Sequence, residues 1–428
     1  MTVLGIALRS LAQRRLSTAL TSLSVGLGIA LVVLVFQVRD TSTKAFNDAA
    51  RGYDVVLGGI HTSSLTTVLS TVFHADKPTD TLPASVLDAV KADKRVKFAV
   101  PTAVGDVVEG YRVVATTPEF FQAIEDADRR PLVESIRAPG RVFGGGAEFE
   151  AVVGGIVASR LRLDVGSKFH VSHGLEKHGN EHEQTWTVVG VMKPTGTPND
   201  RIVLVTLGSY FLIPEHSGGA AAGHGGGMDD GHDDHDHDHG DEAAEPKVGA
   251  YSSIIVRLTS PLHRLQFVAD MKARSDVQPA LPPVEITRLL DIVKSVDEVF
   301  RIVAWLVLLV SGMAILVGLW NTMEGRRREI AILRALGARP AHVFSVVVLE
   351  AVVLCLLGGV VGLSLGHAGV VVAAPILLDM AGIRIAPSFG ATDLWLLLAL
   401  AGMGVVTGLL PAWRAFRTPV AENLHPVD

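Results

Sequence analysis

Residues 321–344 read NTMEGRRREIAILRALGARPAHVF. Ile330, Leu333 and Leu336 recur near helical spacing, with Arg327, Arg328, Glu329 and Arg334 on the positions between them. Gly337 stands where a helix C-terminus favours a residue with φ > 0, and Pro340 suits the first turn of the next helix. The spacing predicts a short amphipathic helix, about 324–340, lying on a membrane surface. The five arginines of 326–339 would face water and lipid phosphates. Held between two apolar runs, such a helix is well placed to receive a push from a soluble partner.

The runs on either side set the architecture. Ile302–Trp320 carries no charge, and Val343–Val372 carries only Glu350, near its inner end. Ser17–Val38 and Leu394–Leu410 are also free of charge and of a length suited to crossing a bilayer core. Arg9, Arg14 and Arg15 precede the first run, whereas Arg39, Asp40, Lys44 and Asp48 after it balance. Arg414 and Arg417 follow the last. The positive-inside rule then places both ends in the cytoplasm with four spans, the first read as a retained signal anchor rather than a cleaved leader.

Composition agrees. The 428 residues have a mean hydropathy of +0.37, 48% hydrophobic and 19% charged residues, which suits a few membrane helices plus a large soluble domain. The net charge is −6, but residues 229–245 alone hold nine acids, so the rest is net positive. The arginines cluster beside spans, not on a soluble face, and no nucleic-acid partner is expected. Cys355 is the only cysteine, which excludes an intrachain disulfide, a cysteine zinc site and an amino-terminal lipid anchor.

The reading divides the chain into a lead-in and first span (1–38), an extracytoplasmic domain (39–296) and a membrane domain with three spans (297–428). Within the soluble region, strands are expected at Tyr53–Leu57, Tyr111–Ala115, Ala151–Val153, Lys168–Ser172, Thr185–Val191, Ile202–Thr206 and Ser252–Leu258. Helices are expected at Leu82–Ala92, Ile156–Leu161 and Pro261–Ala273. The fold class is an α-helical membrane protein with a large α+β extracytoplasmic domain, an α/β subdomain holding an inserted β-rich one.

Residues 216–245 read HSGGAAAGHGGGMDDGHDDHDHDHGDEAAE. This segment holds His216, His224, His232, His235, His237 and His239, with Asp234, Asp236 and Asp238 alternating among them. Its glycines and lack of apolar residues leave it unable to bury a core. His170, His173, His178 and His182 fall in a hairpin-like stretch of the same subdomain. Imidazole and carboxylate suit Zn²⁺, Ni²⁺ or Cu²⁺, and without cysteine a soft Cu(I) site is disfavoured. Several modest sites are expected, since a flexible loop loses entropy in closing on an ion. A solvated acidic loop and a pH sensor are the alternatives.

Gly358, Gly362 and Gly366 form a small-x-x-x-small line on the third span, suited to dimerisation or to packing against the chain's own spans. Glu350 is a functional candidate by its depth, with pairing to Arg414 or Arg417 as the bland reading.

The strings along the chain resemble the MacB/FtsX-like permeases of ABC transporters. LGIALRSLAQRRLSTALTSLSVGLGIAL (4–31) is similar to that family's lead-in and first span. AVVGGIVASRLRLDVGSKFHV (151–171) and WTVVGVMKPTGTPND (186–200) resemble strings of its periplasmic domain. EIAILRALGARPAHV (329–343), LEAVVLCLLGGVVGLSLG (349–366) and GLLPAWRAFRTPVAENL (408–424) resemble its carboxy-terminal membrane domain. The resemblance implies a permease subunit in a bacterial inner membrane, whose spans transmit ATPase closure to the outer domain. The 324–340 helix would be the coupling helix, with Arg328, Glu329, Ile330, Leu333, Arg334 and Gly337 against the ATPase and Glu350 in a coupling role. No G-x-x-x-x-G-K-[ST] phosphate loop occurs in the sequence, so ATP is expected to be used by a separate ATPase dimer.

The resemblance also implies a second permease copy or a related chain. The His-rich segment is outside the family's usual pattern and points to zinc or another divalent metal, with a periplasmic metal-binding or substrate protein as a further partner. Export of a lipoprotein, peptide or drug, and activation of a cell-wall enzyme, are the competing expectations.

Overall fold

The computed structural model describes residues 3–144, 149–174, 182–217, 250–325, 339–381 and 387–417. These fall into two compact units, one of Met1–Ser42, Ile292–Ile376 and Ile385–Asp428, the other of Thr43–Asp291 with Leu377–Arg384. The chain opens with α1 (Val3–Gln13) and α2 (Arg15–Ala49). There follow β1 (Val55–Gly58), α3 (Ser64–Thr71), β2 (Leu82–Pro83), α4 (Ala84–Ala92), β3 (Val96–Val108), β4 (Tyr111–Thr116) and α5 (Phe120–Ala123). Next come β5 (Glu150–Val153), α6 (Gly155–Leu161), β6 (Lys168–Phe169), β7 (Ser172–His173), β8 (Trp186–Val191), β9 (Ile202–Thr206), α7 (Leu207–Phe211) and α8 (Pro214–Ser217). The rest is β10 (Ala250–Tyr251), β11 (Ser253–Leu258), α9 (Arg264–Lys272), β12 (Gln278–Ala280), α10 (Pro282–Gly325), α11 (Pro340–Ala381) and α12 (Ala391–Arg417).

One ten-stranded sheet organises the α+β unit, in the order β12-β1-β11-β3-β4-β9-β5-β8-β6, with β7 on β3. The β4–β9 and β5–β8 pairs are parallel and the others antiparallel. Successive residues of a strand face opposite sides, and here both sides are apolar. Val55 and Leu57, Val203 and Val205, and Ile254 and Val256 point into one core; Val56, Ile202, Leu204 and Ile255 point into the other. Helices α4, α6 and α9 cover the first face with Val90, Val157 and Phe267. Val68, Phe120, Phe121 and Ile286 cover the second. Each fully buried Val, Leu, Ile or Phe stabilises by about 1.5–3 kcal/mol, so covering both faces is what keeps nine or more strands in one layer.

The β5–β9 stretch lies inside the chain order of the other strands, yet β9 pairs with β4, so the two expected subdomains share a single sheet. The longest strand, β3, is absent from the sequence reading. Its Pro101 and Gly105 are residues that normally interrupt strands.

In the helical unit, three helices are long and apolar enough to cross a membrane among the described residues: Arg15–Ala49, Ala341–Ile376 and Ala391–Trp413. The stretch expected as another span is the C-terminal part of α10, whose apolar run Trp305–Asn321 is shorter and close to the lower limit of about 17 residues for crossing the core. The line Gly358, Gly362, Gly366 on α11 faces α2 of the same chain. A Cβ on Gly362 would lie 2.5 Å from Ile29 Cβ, and one on Gly366 2.7 Å from Val33 Cβ. Gly404 on α12 meets α11 in the same way, 2.7 Å from Val352 Cα. Leu16, Leu20, Leu27, Leu309, Leu394 and Leu398 remain exposed, as lipid-facing side chains would be.

Candidate metal centre

Strand β3 departs from regular pairing where β4 passes it: Val104 opposes Val114 but Val107 opposes Arg112, so β3 holds one extra residue. Gly105 and Asp106 occupy that bulge. On the other side β7 pairs with the same stretch, and Asp106 lies directly across from His173. His182 is brought in by its backbone N–H, which donates to the Val171 carbonyl at 2.9 Å. His216 comes from α8, positioned by Tyr210, whose ring stacks on the imidazole at 4.1 Å and 16°. Tyr210 in turn needs Gly105 beneath it, since a Cβ there would lie 2.7 Å from its hydroxyl.

The result is four ligand-bearing side chains whose donor atoms all lie within 4.8 Å of one another. Asp106 Oδ1 is 3.1 Å from His216 Nε2, 3.3 Å from His173 Nδ1 and 3.5 Å from His182 Nε2. Four ligands about 2.0–2.1 Å from a central ion define a tetrahedron with edges of about 3.3 Å. The three oxygen–nitrogen separations straddle that length.

The polar contacts call for a cation at this point. His216 Nδ1 lies 3.2 Å from the Tyr210 carbonyl oxygen. A carbonyl only accepts, so Nδ1 carries the proton and a neutral ring turns its Nε2 lone pair toward Asp106. An acceptor nitrogen beside a carboxylate oxygen is stable only with a cation between them, a proton or a metal ion. Asp106 is buried, and its Oδ2 has no hydrogen-bond partner among the described residues. Burial, and then the Asp106 charge, hold the Tyr210 phenol well above its ordinary pKa, so the ring stays neutral beside the carboxylate. A backbone carbonyl behind a ligating imidazole is the usual arrangement for fixing its tautomer and orientation.

Of the histidines singled out in the sequence, the structure thus brings together His173, His182 and His216. His170 stands outside the group, its Nδ1 3.2 Å from the His182 carbonyl oxygen. His178, His224, His232, Asp234, His235, Asp236, His237, Asp238 and His239 lie outside the described residues. Arg328, Glu329, Ile330, Leu333, Arg334 and Gly337 of the expected coupling helix do too. Asp106 was missed by sequence reasoning, because a single aspartate in VPTAVGDVVEG carries no ligand spacing. Glu350 is buried in the helical unit, where its Oε1 accepts from Ser10 Oγ at 2.7 Å.

Comparisons with known proteins match both halves. The family model of the MacB-like periplasmic core domain matches residues 18–274, and that of the FtsX-like permease C-terminal matches residues 301–420. The macrolide export ATP-binding/permease protein MacB of Nitrobacter winogradskyi is 37% identical over 132 residues, 31% of this chain and 20% of that protein. Its namesake from Rhodopirellula baltica is 30% identical over 191 residues, 41% of this chain and 25% of that one. The Escherichia coli K12 protein of the same name is 33% identical over 144 residues, 32% and 21% of the two chains. The matched stretches thus span a fifth to a quarter of these relatives' own length. The periplasmic region of MacB from Actinobacillus actinomycetemcomitans aligns with 56% of this chain and 95% of its own, at 10% identity and a TM-score of 0.33. The extracellular domain of the transporter YknZ from Gram-positive bacteria aligns with 53% and 98%, at 13% identity and a TM-score of 0.28.

Proposed function

This chain belongs to the MacB/FtsX-like family of ABC-transporter permeases, and from that premise we propose that it couples ATP hydrolysis on a separate ATPase to divalent-metal handling outside the cytoplasm. The convergence of three imidazole nitrogens on one buried carboxylate oxygen carries the metal part of this reading. A drug-export permease needs no such arrangement. The His/Asp-rich segment begins at His216, itself one of the four ligands, so weak capture along that segment and firm holding at the fixed centre lie next to each other in the chain.

In this reading four spans place both termini in the cytoplasm of a bacterial inner membrane, with the α+β unit outside. Arg328–Gly337 meets the ATPase dimer, and a second permease copy or related chain completes the membrane part. A periplasmic metal-binding protein delivers or receives the ion. The imidazole-rich donor set favours zinc or a neighbouring transition metal over Ca²⁺ or Mg²⁺, which take oxygen ligands.

The test is zinc titration of the full-length chain in detergent, beside growth of a deletion strain under chelation. Uptake of Zn²⁺ at micromolar concentrations, together with poor growth of the deletion strain when zinc is withheld, is the expected pair of results. Absence of uptake removes the metal assignment. Uptake with normal growth of the deletion strain makes the ion a resident of the domain and removes the handling role.

A further inference from the structure

The four members of the centre differ sharply in access to water. The side chain of Asp106 is 0% exposed, that of His182 3% and that of His216 5%, whereas that of His173 is 47% exposed. They differ as much in how they are held. Asp106 is fixed in the bulge of a central strand. His216 is stacked on Tyr210 and bonded to its carbonyl. His182 is bonded through its backbone to Val171, while its carbonyl faces His170 Nδ1. His173 ends a two-residue strand and is followed by Gly174 at φ +88°. Its ring meets the other three members, Asp106 at 3.3 Å and the His182 and His216 rings at centroid distances of 5.9 and 5.6 Å.

A four-coordinate ion leaves such a site by losing one ligand first, and water takes the freed position. For a buried imidazole the surrounding packing must open before the ring can turn away. An exposed ring needs only a rotamer change, with water already at hand. We propose that Asp106, His182 and His216 form the retaining face of the centre and that His173 is its exchange ligand, through which the ion enters and leaves. The inference rests on the metal reading above. In the exchange step the bond from the ion to His173 Nδ1 breaks, a water oxygen bonds to the ion in its place, and no oxidation state changes. The three remaining ligands hold the ion until an incoming donor displaces that water. A donor on a delivering or receiving protein would act from the His173 side.

The experiment uses the full-length chain with His224, His232, His235, His237 and His239 changed to Asn, so that the fixed centre dominates binding. Zn²⁺ is loaded at one per chain, and its transfer to an excess of a chromogenic chelator is followed in time. Co²⁺ serves as a spectroscopic substitute that reports tetrahedral ligation. In this background His173→Ala should still bind one ion, release it roughly tenfold faster or more, and be slowed again by millimolar imidazole. His182→Gln and Asp106→Asn should instead lose affinity by more than roughly 100-fold, with no rescue by imidazole. Circular dichroism of each variant separates loss of a ligand from loss of the fold. Release unchanged in His173→Ala, or imidazole rescue at His182 and not at His173, overturns the exchange assignment and leaves the metal reading intact. If the background chain with all four ligands takes up no Zn²⁺ or Co²⁺, the metal reading fails and the exchange proposal with it.

Discussion

Ser10 Oγ donates a 2.7 Å hydrogen bond to Glu350 Oε1, tying the lead-in helix α1 to the first third of α11. Both residues are buried in the helical unit. From sequence, Glu350 could equally have snorkelled or paired with a terminal arginine. Its contact with Ser10 links it to the segment N-terminal to the first span. A hydrogen bond to a charged acceptor contributes about 1.5–3 kcal/mol, and losing one donor costs a buried carboxylate more than a neutral group. Ser10→Ala is expected to lower the thermal midpoint of the detergent-solubilised chain by a few degrees. Glu350→Gln should lower it less than Glu350→Leu, because the amide can still accept from Ser10. Midpoints equal to the parent chain's in all three variants would show the contact to be energetically silent.

The glycine line on α11 makes a second, sharper expectation. A methyl group at position 362 would meet Ile29 Cβ at 2.5 Å and the Gly26 carbonyl oxygen at 2.7 Å, and the latter is backbone that has no rotamer to yield. Gly362→Val should therefore force α2 and α11 apart, costing about 1–3 kcal/mol or more. Gly402, which has nothing within 4 Å of its would-be Cβ, supplies the control. Gly402→Ala is expected to leave the midpoint in place, and thermal unfolding in detergent compares the two.

His74 gives a pH dependence whose sign can be worked out. Burial, above all, lowers its pKa to about 4 from 6.5, the nearby Arg112 charge adds to the shift, and the hydrogen bond with Asn199 opposes it. The folded chain keeps this ring neutral where the unfolded chain protonates it. Its contribution is therefore complete above pH 6.5 and is lost as pH falls from about 6.5 to about 4. The loss is at most about 3 kcal/mol, from 1.36 kcal/mol per pKa unit. His74 has φ +52°, a conformation asparagine tolerates. His74→Asn should flatten the stability profile between pH 4 and 6.5, measured by denaturant unfolding with chelator present throughout. A parallel downward offset with unchanged slope would assign the pH dependence to other groups.

For the coupling segment, Leu333→Asp puts a charge on the apolar face of the expected helix. It should abolish co-purification with the ATPase while leaving membrane insertion intact, as read by pull-down and membrane fractionation. Retained ATPase binding and activity in that variant would remove Leu333 from the interface.

Much of this molecule can be read directly from the chain, for identifiable reasons. Ile202–Thr206 is a strand in both readings because a short, mostly β-branched run following the polar Asn199-Asp200-Arg201 has few alternatives. The motif strings acquire a physical cause in the structure. A Cβ on Gly154 would meet the Asp200 carbonyl oxygen at 2.5 Å, and Asp200 accepts from the Thr195 and Gly196 backbone N–H groups at 2.7 and 2.9 Å. AVVGG (151–155) and TGTPND (195–200) thus touch in the fold.

The histidines of 170–182 and His216 stand out by composition. Asp106 does not, since it joins them only when β7 pairs across from it, a contact 67 positions along the chain. Strand β3 was hidden by Pro101 and Gly105. Its neighbours β11 and β4 supply the pairing that overrides those local preferences.

The bulge at Gly105–Asp106 makes the centre a matter of chain length as well as of side-chain choice. With one residue fewer, β3 could pair regularly with β4, and every side chain on one side of the deletion would swap faces of the sheet. All three histidines would survive such a change in sequence, and the strand would survive in structure. The carboxylate they surround would be gone from their midst.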